Sequence, residues 1–165
     1  MRVSAPFTIE ANWDTLKDHE TFVFVPNKEG EGSPPFRFID RGCRAAESLC
    51  ETEYPFACVS RDAPGPGDEV TTVLQLLDGT YEYWIELKGQ SNAGDLTVLL
   101  RGAGGAVVAS WTSPANSGDP SLGWHVFNVD GATGVVTSID VLGNNALPTV
   151  AHSDNLNVCP FPPSP

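Results

Sequence analysis

Apolar and polar side chains alternate along most of this chain with a period of two, the period of an extended strand whose faces differ in solvent contact. Residues 80–88 show it plainly: Tyr81, Tyr83, Ile85 and Leu87 interleave with Glu82, Trp84, Glu86 and Lys88. Asp78-Gly79 separates this run from the apolar run 70–77, and the pattern predicts a β-hairpin, since a two-residue type I′ turn needs positive φ at both central positions. Residues 4–13 form a first predicted strand, with Phe7, Ile9, Ala11 and Trp13 between Thr8, Glu10 and Asn12. Residues 20–25 (ETFVFV) form a second, stopped by Pro26-Asn27, and 36–39 a short third. Residues 96–101 and 106–112 predict another hairpin through the GAGG turn, and 123–130 with 135–142 a further one. The stretch 40–63 is the longest predicted loop, with a helical turn or two in CRAAESLCE. Eight or nine short strands at this spacing predict an all-β fold, an antiparallel immunoglobulin-like or jelly-roll β-sandwich.

At 165 residues the chain suits one domain, 1–158, followed by a Pro-rich tail or linker at 159–165 (CPFPPSP). Its 16 glycines and 14 prolines fall between the apolar runs, as turn residues do in all-β proteins. A net charge of -12 argues against nucleic acid or an anionic membrane as partner, because both attract basic surfaces. No apolar run is long enough to span a bilayer, and residues 1–20 lack the charged, apolar and small-residue pattern of a signal peptide. Cys43, Cys50, Cys58 and Cys159 are an even set without a CxxC pair, which points to two disulfides with three possible connectivities. Pairing Cys43 with Cys50 and Cys58 with Cys159 is preferred; four reduced thiols and a zinc site are the alternatives.

An ordered set of residues carries a family resemblance: Trp13, Asp18 and Glu20, Pro26, then Asp62, Gly65, Gly67 and Glu69, then Gly79-Thr80-Tyr81, and finally Trp124, Val126, Phe127, Asp130 and Gly131. In that order and spacing the chain resembles the YfaP-like domains of bacterial secreted and surface proteins over roughly residues 7–143. Phe22 stands where that family has His, and Asp68 where it has Pro. The resemblance implies a sandwich located outside the cell and no particular activity.

It also brings the acidic positions of the first two strands near the loop before residue 70. Asp14, Asp18, Glu20, Asp62, Asp68 and Glu69 are therefore candidate oxygen ligands, and Asp18, Glu20, Asp62 and Glu69 are the expected calcium set. The alternative is a group of solvated loop carboxylates. Trp84, flanked by Glu82 and Glu86, is the expected exposed platform for a sugar ring, with Trp13, Trp111 and Trp124 in the core. No nucleophile elbow, zinc-binding HExxH or phosphate loop occurs, and His19, His125 and His152 are scattered. The expected function is a non-catalytic extracellular module that binds carbohydrate or a matrix protein. The alternatives are a structural subunit of an extracellular filament or wall layer, self-associating through the terminal strand 4–13, and a glycoside-acting enzyme.

Overall fold

The computed structural model describes residues 1–14, 19–26, 36–39, 56–61, 67–116 and 121–143. These form ten strands: β1 (Phe7–Trp13), β2 (Glu20–Pro26), β3 (Phe36–Ile39), β4 (Ala57–Arg61), β5 (Gly67–Val73), β6 (Thr80–Lys88), β7 (Leu96–Arg101), β8 (Val107–Thr112), β9 (Ser121–Asp130) and β10 (Val136–Gly143). They make two five-stranded antiparallel sheets, the first ordered β4-β5-β1-β7-β8 and the second β10-β9-β6-β2-β3. The protein is thus all-β, an antiparallel sandwich. Among the described residues no helix is long and apolar enough to cross a membrane.

The two sheets meet where the alternation requires. Ile9, Ala11, Val98 and Leu100 face Val23, Tyr83, Ile85, Leu87 and Phe127, all nearly free of solvent contact. Each of these side chains larger than alanine contributes about 1.5–3 kcal/mol relative to an exposed position. Trp111 of the first sheet stacks on Phe127 of the second at 4.5 Å, and Phe127 on Tyr83 at 5.3 Å, so three rings join the layers.

Three expectations are corrected. Residues 70–77 and 80–88 do not form a hairpin: β5 pairs with β1 and β4 in the first sheet, β6 with β2 and β9 in the second. The segment between them crosses from sheet to sheet, with Leu76 and Leu77 packed against the core. Tyr81 holds the corner, its hydroxyl accepting the Leu77 backbone N–H at 2.7 Å, in the manner of the tyrosine corner of immunoglobulin-like sandwiches. Gly79 has φ +122, so its turn signal is genuine, but it serves a crossover.

Second, the predicted loop 40–63 contains a strand, β4, in which Ala57, Cys58 and Val59 are buried. Third, β1 is not an edge able to join a neighbour's sheet. It lies at the centre of its own sheet, paired along both sides by β5 and β7. The outer strands β8 and β10 carry bulges in their pairing, which blunt an edge against addition of another strand.

Candidate functional site

A bulge in β9 builds the most developed surface feature. Tyr83 of β6 pairs with Phe127, but the next residue, Trp84, pairs with His125, leaving Val126 as the extra residue. Phe127 and Trp124 both stay in the core as a result, while His125 and Asn128 both reach the outer face of the second sheet. One row across this face then reads Phe22, Trp84, His125 and Val141, contributed in register by β2, β6, β9 and β10. The neighbouring row reads Phe24, Glu82, Asn128 and Thr137.

The first row is apolar and ring-bearing, and it grows more exposed towards β10. Phe22 is buried, Trp84 and His125 are half-buried, and Val141 is 55% exposed. The Trp84 and His125 rings stack with centroids 4.1 Å apart and planes at 16°. Each is braced from the second row. Trp84 Nε1 donates to Glu82 Oε2 at 2.9 Å, and His125 Nε2 lies 2.6 Å from Asn128 Oδ1, a bond to an amide oxygen that requires the proton on Nε2. Burial pushes the His125 imidazole below its ordinary value, with the Asn128 bond and the Glu82 carboxylate, 3.9 Å away, opposing. His125 is therefore a neutral ring at neutral pH. Flat apolar area beside a row of carboxylate, amide and hydroxyl groups can pack against a ring while hydrogen-bonding its substituents.

The expected site residues fall in different places. Trp84 lies at the centre of this face but is half-buried rather than exposed as expected, because His125 covers one side of its indole. Glu20 belongs to the same face, where its Oε1 is 2.7 Å from Lys88 Nζ. Glu69 is on the other side of β2, buried between the sheets, and Thr21 Oγ1 donates to its Oε2 at 2.6 Å. Asp18 and Asp62 lie outside the described residues, as do Cys43, Cys50 and Cys159. Cys58 is buried in β4. Trp13, Trp111 and Trp124 are core residues, as expected, and the last two donate to Ser138 Oγ and Asp140 Oδ1.

Two of the remaining acidic positions, Asp14 and Asp68, line an open depression of about 460 Å³ with Asn12, Thr97 and Asp95 at one end of the first sheet. Among the described residues no three His, Cys, Asp or Glu side chains stand close enough to hold a metal ion. His125 and Asn128 were not legible as site residues, because their common face depends on the bulge at Val126. The bulge's one mark in GWHVFNVD is a slip of phase, the polar His125 and Asn128 standing three apart with the apolar Val126 and Phe127 adjacent, which a strict period-two reading passes over.

No family model matches the chain, and no curated protein or solved structure matches it either. None of these comparisons bears on the resemblance to YfaP-like domains.

Proposed function

We propose that this chain is a non-catalytic extracellular β-sandwich module that binds carbohydrate across the outer face of its second sheet. One observation carries the reading: the stacked Trp84–His125 pair lies in an apolar row ending at exposed Val141, beside the hydrogen-bonding row Glu82, Asn128, Thr137. A pyranose presents the matching pair of surfaces, a C–H face and a rim of hydroxyls. Stiff side chains already braced by neighbours lose little entropy on binding it. The extracellular location follows the YfaP-like resemblance. Calcium is left out of the proposal because Glu20 and Glu69, two of its four expected ligands, reach opposite faces of β2.

Affinity electrophoresis through gels containing soluble polysaccharides tests this. The wild-type chain is expected to be retarded by at least one neutral polysaccharide. Trp84→Ala and Val141→Asp are each expected to weaken that retardation at least about tenfold, near 1.4 kcal/mol. Val141 is exposed, so its variant keeps the wild-type melting midpoint and separates lost binding from lost folding. Retardation unchanged in both variants would remove this face from the account.

A further inference from the structure

Charge around the ring row decides which glycans fit it. The same face carries Glu20, Glu82 and Glu86 against Lys88. Lys88 is matched, its Nζ 2.7 Å from Glu20 Oε1. Glu82 keeps its side chain 35% exposed; its Oε2 accepts from Trp84 Nε1 at 2.9 Å, and His125 Nε2 lies 3.9 Å away. No ion pair joins Glu86 to a described residue. Two carboxylates on either side of Trp84 along β6 thus stand without a described lysine or arginine partner, one in the hydrogen-bonding row and one beyond the ring row.

We propose that this face selects glycans by charge, taking chains without carboxylate or sulfate groups and rejecting their anionic counterparts. The inference rests on the carbohydrate reading above. A sugar laid over Trp84 and His125 brings its substituents within a few ångströms of Glu82 and Glu86, well inside the screening length of about 8 Å at physiological salt. At that range a hydroxyl can donate to either carboxylate, whereas an acid group on the ligand is repelled by both.

The test pairs polysaccharides of one backbone that differ only in charge: hydroxyethyl against carboxymethyl cellulose, and dextran against dextran sulfate. Affinity electrophoresis at low salt is expected to show a neutral member binding at least about tenfold more tightly than its anionic partner. The ratio is expected to shrink towards one in about 1 M sodium chloride, where the screening length falls to about 3 Å, and in the double variant Glu82→Gln, Glu86→Gln. Equal or tighter binding of the anionic member would overturn the charge selection and leave the carbohydrate reading intact. A ratio unmoved by the double variant would overturn the assignment to these two carboxylates, because the net charge of the chain alone would then explain it. No retardation by any neutral member would overturn the carbohydrate reading and this inference with it.

Discussion

Burial disfavours the charged form of any side chain, so it moves Tyr83 and His125 in opposite directions. The Tyr83 phenol, wholly enclosed and near the Glu69 carboxylate, is held far above its ordinary 10.0, with a Thr21 hydrogen bond opposing. Its folded value exceeds its unfolded one, so its share of stability is intact below pH 10.0 and is lost as pH rises beyond it. Melting midpoints from pH 8 to pH 12 are expected to fall steeply at the alkaline end, and less steeply in Tyr83→Phe; parallel curves for the two proteins would contradict this. For His125 the sign reverses. The unfolded imidazole takes up a proton near 6.5 and the folded one only lower, so stability is present above 6.5 and is lost on acidification through the folded value. Between pH 7 and pH 5 the midpoint of His125→Gln is expected to decline less than that of the wild type. An identical decline would place the acid sensitivity elsewhere.

Among the elements, the crossover from β5 to β6 depends on close backbone approach. Gly131 N donates to Gly79 O at 2.7 Å, and a methyl at Gly131 would overlap the Leu77 carbonyl. Gly131→Ala is therefore expected to cost about 3 kcal/mol or more, as overpacking against backbone does. Tyr81→Phe, which takes the acceptor from the Leu77 N–H, is expected to cost about 1–3 kcal/mol. Chemical denaturation checks both, and a loss below about 0.5 kcal/mol in either would refute the corner's role. This corner also shows where the sequence stops being informative. Alternation in 80–88 correctly assigned inward and outward faces, and the strands from β6 to β10 emerged near their predicted bounds. Period-two alternation describes one strand against solvent, however, and says nothing of its partner. Val73 and Tyr81 face the same core from different sheets, and a strand pattern is the same in either case. Strand β4 was missed for the converse reason: Ala57, Cys58 and Val59 are buried one after another, so ACVSR shows no alternation.

At the scale of the molecule, the sandwich presents two different outer faces. The first sheet ends in the acidic depression of Asp14, Asp68 and Asp95, and the second carries the Trp84–His125 row. Trp84 was legible as a candidate site residue because it breaks an otherwise charged outward series, Glu82, Glu86 and Lys88. Its companions were not, since His125, Asn128 and Val141 come from two other strands and meet Trp84 only through sheet register. The four tryptophans make the claim directly measurable, because Trp13, Trp111 and Trp124 are buried and serve as internal references for Trp84. A neutral polysaccharide or its oligosaccharide, titrated into ¹⁵N-labelled protein, is expected to shift the Trp84 indole N–H and the Asn128 side-chain amide while leaving the other three indoles in place. Shifts confined to Asn12, Asp14, Asp68, Asp95 and Thr97, with the Trp84 indole unmoved, would contradict the account.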